Sequence, residues 1–92
     1  MTLDSMHLVL YAIYAEYQKD LPDMDNVSAE ALGIDEDVFN VAVLKLENEH
    51  FITGAIFKYI DQSAYPVCVL IDKVTLTEKG LAEIFLIKQP NN

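Results

Sequence analysis

Residues Leu44 to Ala55 read LKLENEHFITGA. The first half has the spacing of a helix that is coming to its end. The second half passes at once into β-branched and aromatic residues, the composition of a strand. A helix running straight into a strand sets both elements in one corner of the fold, so this stretch decides what the neighbouring segments have to be. It also carries Glu47 and Glu49 against the single cation Lys45. That balance raises the question of whether such a joint can face nucleic acid.

Upstream of the joint, the spacing predicts a helix over about Glu36 to Glu49, with Phe39, Ala42, Val43 and Leu46 as its inward stripe. Asp35 is expected to cap it, and Glu36 and Asp37 in the first turn complement the positive end of the helix dipole. A short helix, SAEAL, precedes it, with Ser28 as N-cap and Gly33 as its stop, so the two form a helix-turn-helix candidate. Further back, Met6, Val9, Leu10, Ile13, Tyr14 and Tyr17 make the apolar stripe of a first helix over Ser5 to Lys19, with Asp4 or Ser5 as N-cap. Leu8, Tyr11 and Ala12 carry apolar character nearly all the way round, which favours a helix shared with a second molecule. Between these helices, Asp20 to Asn26 (DLPDMDN) is turn chemistry.

Downstream, FITGAIFKYI and PVCVLI read as the strands of a β-hairpin, and DQSAY with Pro66 supplies the turn. A last helix starts from the N-cap Thr77, with Leu81, Ile84, Phe85 and Ile87 expected towards the core and residues 89–92 as a flexible tail. The whole chain, 1–92, is expected to be a single α+β domain in the order α-α-α-β-β-α.

Composition narrows the partners. The chain holds 92 residues, 52% of them hydrophobic, and fifteen Asp and Glu against six Lys, a formal charge of −9. It contains no Arg. Affinity for nucleic acid comes largely from Lys and Arg neutralising phosphates, and the commonest specific base contact is Arg on guanine. Cys68 is the only cysteine, so no internal disulfide is possible, and a reducing cytoplasm is the expected compartment. Its apolar neighbours in VCVLI suggest an inert core thiol. The opening MTLDSMH lacks a basic region and runs into a helical pattern broken by Glu16 and Lys19, so no signal peptide is expected, and no apolar run is long enough for a membrane span.

With this order in hand, LYAIYAEY, SAEALGIDEDVFNVAV, LENEHFITGA and LTEKGLAEI together resemble the YjcQ-like family of small winged-helix proteins from Firmicutes and their prophages. The pattern LxxLxxEGxI followed by LTxxGxxxL is shared with winged helices in general. Leu46, Glu49, Phe51 and Ile52 fit its first half, and Leu76, Thr77 and Gly80 its second. His50 stands where a glycine is usual, at a place where left-handed backbone costs a non-glycine residue more. The resemblance implies a helix-turn-helix with a β-hairpin wing. It implies no particular chemistry, because winged helices serve both DNA and protein partners.

For DNA, the outward positions of the longer helix would be Asp37, Asn40, Val41, Leu44, Lys45 and Asn48, and the wing tip carries Lys58 against Asp61. A DNA-binding regulator, acting as a dimer, would therefore rely on Asn40, Lys45, Asn48 and Lys58. The protein-partner reading uses these positions better, since Val41 and Leu44 lie off the core stripe and leave apolar surface to be covered. The residues expected at such an interface are Tyr11, Tyr14, Val41, Leu44 and Asn48, with a homodimer as the simplest arrangement and an unlike protein as the other. A third reading is an acidic domain that mimics nucleic acid in a basic groove. Asp23, Asp25 and Glu30 suggest a calcium loop only vaguely, because Val27 stands where an oxygen ligand is needed, and a turn role is favoured. His7, His50 and Cys68 lack zinc spacing. No catalytic triad order, phosphate loop or nucleotide fingerprint is present, so the expectation is a non-enzyme without cofactor or metal.

Overall fold

The structure, a computed structural model, describes residues 4–88. The Ile87 side chain and the tail at 89–92, both given roles above, lie outside what is described. Helix α1 spans Ser5–Tyr17, α2 Ala29–Leu32 and α3 Glu36–Asn48; strands β1 Ile52–Thr53, β2 Ile56–Lys58, β3 Cys68–Leu70 and β4 Thr75–Leu76 follow, and α4 Glu78–Lys88 comes last. A 3-10 turn at Met24–Asn26 lies in the expected loop. The arrangement is α+β and compatible with a winged helix.

Local chemistry accounts for most boundaries. Asp4 caps α1, its carboxylate accepting from the His7 N–H at 2.8 Å. Ser28 caps α2 by accepting from the Ala31 N–H at 3.0 Å. Gly33, at φ +71°, closes it, with its N–H on the Glu30 carbonyl and the Ile34 N–H on that of Ala29. Asp35 does take the N-cap position of α3, but its side chain makes no capping hydrogen bond. The expected cap is therefore positional only.

Helix α1 is the central element, packed against α3 and α4. Val9, Leu10 and Ile13 are fully buried, so much of its all-round apolar character is consumed within the chain and its cover comes from α3 and α4. Off that stripe, Leu8 and Ala12 are half-buried and Tyr11 is exposed, so α1 keeps some apolar surface beyond the core. Leu10 and Ile13 meet Val43, Leu46, Ile52, Val74 and Ile84 in one core cluster. Burying a side chain of this size stabilises by roughly 1.5–3 kcal/mol. The Tyr17 hydroxyl donates to the Val74 carbonyl, tying α1 to the base of the hairpin.

The hairpin is interrupted. β1 pairs antiparallel with β4 (Ile52 opposite Leu76), and β2 with β3 (Ile56 opposite Leu70, Phe57 opposite Val69, Lys58 opposite Cys68). Gly54, at φ +98°, separates the two ladders, and a Cβ there would lie 2.5 Å from the Lys73 carbonyl oxygen. The break shifts the side-chain alternation. Ile52 faces the core below it, whereas Ala55 and Phe57 are half-buried and Ile56 is exposed above it. Unbroken alternation would put Ile52 and Ile56 on the same side, and the break at Gly54 prevents it.

Candidate protein-contact surface

The joint at Leu44–Ala55 is locked from several directions. His50 adopts φ +63°, so it does take the left-handed conformation usual for glycine there. Its N–H donates to the Glu47 carbonyl and that of Phe51 to the Leu46 carbonyl, each at 3.0 Å, which ends α3 in a Schellman motif with Phe51 packed beside Leu46. The Glu47 carboxylate accepts from the Ala55 N–H at 3.2 Å and so holds the start of the hairpin. Thr77, the cap of α4, donates its hydroxyl to the His50 carbonyl at 2.5 Å and accepts from the Gly80 N–H at 3.0 Å. A Cβ on Gly80 would overlap the Phe51 carbonyl, so α4 can approach only through a glycine. The Lys79 ammonium lies 5.2 Å from the centre of the Phe51 ring. The two halves of the motif are thus one contact, and Glu47 acts within it as an acceptor for backbone.

Beyond this joint, α3 presents Glu36, Asp37, Lys45, Asn48 and Glu49 to solvent, with Val41 and Leu44 half-buried. Val41 lines a cleft of about 500 Å³ between the start of α1 and the outer face of α3, together with Met6, Val38, Ala42, Asp37 and Lys45. Asp4 lies in the same cleft. The His7 N–H holds the Asp4 carboxyl below its ordinary pKa, and the His7 and Lys45 charges add to the effect. The one cation expected to read a groove therefore sits beside a carboxylate. Tyr11 is partly exposed and Tyr14 half-buried, their rings 6.2 Å apart and tilted by 52°.

One expected DNA contact is corrected outright. Asn40 is 2% exposed, with its side chain among buried residues rather than on the outer face of α3. Lys45 and Asn48 on α3 and Lys58 on β2 are exposed.

Other apolar side chains are exposed on α4 and on the hairpin. Leu81 and Phe85 were expected in the core, yet both are exposed, Phe85 by 57% and its neighbour Leu86 by 70%. Gly80 sets the phase. With Gly80 against Phe51, Ile84 is the side chain one turn on that points inward, and it is 1% exposed. On the hairpin, Ile56, Tyr59, Ile60, Tyr65, Val67 and Leu70 are also exposed, Ile60 by 60%. Cys68 is exposed too, so it is not the core thiol its neighbours suggested. Apolar periodicity in LAEIFLI could not reveal this, because it fits several stripes; the signal was Gly80, which has to meet a backbone.

Two carboxylate sites brace the surroundings. The His7 ring bridges Asp4 at 2.8 Å and Glu83 at 2.7 Å, joining α1 to α4. Burial disfavours the imidazolium, but the hydrogen bonds to Glu83 and Asp4, with their charges, outweigh it and raise the His7 pKa. Glu16, 4% exposed, accepts from the Asp23 N–H at 2.9 Å and the Asn26 amide at 3.1 Å and pairs with Lys19 at 3.0 Å. The Asp23 N–H above all, then Lys19 and Asn26, lower its pKa. A buried glutamate organising the Asp20–Asn26 loop was not foreseen. Asp23, once a calcium candidate, accepts from the Asp25 N–H in that turn. Among the described residues no group of three or more His, Cys, Asp or Glu is placed to hold a metal ion, and no helix is long and apolar enough to cross a membrane.

Comparison with known proteins adds the deciding finding: the family model described as YjcQ protein matches residues 7–89. The chain belongs to the YjcQ family. No curated protein and no solved structure matches it. The YjcQ match covers the whole joint and runs from within α1 through α4.

Proposed function

We propose that this YjcQ-family chain is a small acidic, non-enzymatic protein of the cytoplasm that works through protein–protein contact, as a prophage-associated regulatory or accessory factor. The first partner is a second copy of itself. The observation that carries this reading is the exposed apolar surface of the hairpin and α4, including Ile60, Tyr65, Phe85 and Leu86, on a molecule of charge −9. Surface of this kind on a protein is normally covered by a partner. Self-association is the simplest cover because one surface then serves both sides.

Light scattering across a concentration series tests it. The parent should dimerise, and Ile60→Asp with Phe85→Asp should remain monomeric. A parent that is monomeric at high concentration removes the self-partner.

DNA binding by a dimer is the second reading, supported by exposed Lys45 and Asn48 on α3 and Lys58 on the hairpin. Retention on duplex DNA at low and moderate salt separates it. Tight, salt-steep binding that is lost in Lys45→Ala, Lys58→Ala would reverse the order of the two readings.

A further inference from the structure

A slot of about 280 Å³ lies between β3 and the segment from Met24 to Ala29, against the first half of α3. Five successive residues, 68 to 72, line it, and the first three, Cys68 to Leu70, are the whole of β3. A strand offers only alternate side chains to a surface on one of its faces, so an unbroken run is the mark of its edge. No β2 residue lines the slot, and β2 is the only strand paired with β3 among the described residues. The open edge of β3 therefore borders this space. Across it, Val27 (φ −106°, ψ 90°) and Ser28 (φ −148°, ψ 164°) are themselves extended.

An unmet donor lies beside the slot. Asn40 lines it, and its Nδ2 is buried with no acceptor among the described residues. A buried amide donor without an acceptor destabilises the empty protein, and an incoming carbonyl oxygen removes that penalty. A half-turn about χ2, a soft torsion in asparagine, exchanges the positions of the amide nitrogen and oxygen. The charged residues lining the slot are Asp25, Glu36 and Asp72, all exposed carboxylates, with no lysine among them.

We infer that this slot binds an extended peptide segment carrying lysine or arginine, which adds to the hairpin as a third strand along β3. Backbone hydrogen bonds with the β3 edge give the register, the Asn40 amide grips a peptide carbonyl, and the carboxylate rim selects cationic side chains. The inference rests on the protein-contact reading and gives it a second, chemically defined partner.

The probe is an acetylated, amidated hexapeptide alternating valine and lysine. Its counterparts carry glutamate for lysine, or N-methyl groups on alternate amides, and spermine supplies charge without backbone. The lysine peptide should bind and slow amide hydrogen exchange at residues 68–72, and none of the other three should. Asn40→Leu should weaken it about tenfold, as expected for one lost hydrogen bond to a ligand. Should that variant not fold, Asp72→Lys, at an exposed rim position, should weaken binding by a similar factor of about ten. No slowing with the lysine peptide, equal slowing with the N-methylated peptide or spermine, or unchanged affinity in the folded variants would each overturn the slot. Light scattering on the same samples keeps the readings apart: a chain that dimerises but ignores the peptide loses the slot alone, and a monomer that takes the peptide keeps it.

Discussion

The joint around His50 and the far half of the hairpin are built from similar residues, β-branched and aromatic side chains with a few charges, yet they end in opposite states. In the joint, Leu46, Phe51 and Ile52 are buried, and the backbone of His50, Phe51 and Ala55 is held by Thr77 and Glu47. Past Gly54, Ile56, Tyr59, Ile60 and Tyr65 stand in solvent. Composition does not separate the two regions. What separates them is whether another segment can come close enough to cover them, and that depends on Gly80 and on the left-handed turn at His50.

The largest expected effect falls on that approach. Gly80→Ala places a methyl group on the Phe51 carbonyl and should destabilise by about 3 kcal/mol, at the upper end of overpacking costs. Chemical denaturation checks it, and a loss well under about 1 kcal/mol, within surface-substitution range, would mean that α4 can slide away from the joint. His50→Gly should act in the other direction. With φ +63° retained, glycine relieves left-handed strain and should stabilise by about 0.5–1 kcal/mol. No gain would show that the histidine side chain contributes as much as its backbone costs.

The exposed region should behave differently. Ile60→Ser should change the stability of the isolated monomer by no more than about 0.5 kcal/mol, as for other surface positions, while weakening self-association. A large loss in the monomer would mean that the hairpin tip is covered by its own chain.

A further effect concerns pH. The His7 pKa lies above its ordinary value of 6.5 in the folded chain, so the bridge to Asp4 and Glu83 contributes fully below that value. The contribution fades as pH rises through the raised folded pKa. Relative to His7→Gln, the parent should lose an advantage of under about 1 kcal/mol between mildly acidic and alkaline pH. A constant difference in denaturation midpoint would remove the charged bridge.

Much of the fold was legible in the sequence because its signals are local. As caps, Ser28, Gly33, Asp4 and Thr77 each act close to their own position in sequence, and the Phe39, Ala42, Val43, Leu46 stripe needs nothing beyond the helical repeat. The misreadings share the opposite property. Glu16 is buried because a loop seven to ten residues away folds back onto it. The facing of Phe85 depends on Gly80 meeting Phe51, and the shift in the hairpin on Gly54 meeting Lys73. Asn40 looked like a base-reading residue on a helical wheel, and only the arrival of β3 and the Met24–Ala29 segment beside α3 encloses it. Apolar residues in α4 and the hairpin were visible as residues, but their exposure was not.

The central claim is that this chain meets its partner through the hairpin and α4 and not through the outer face of α3. Amide hydrogen exchange followed at low and high protein concentration tests it directly. The account predicts that added protection at high concentration concentrates on residues 56–70 and 81–86, with the exposed face of α3 unchanged. Protection that does not depend on concentration, or that grows on α3 around Val41 and Leu44, would contradict it.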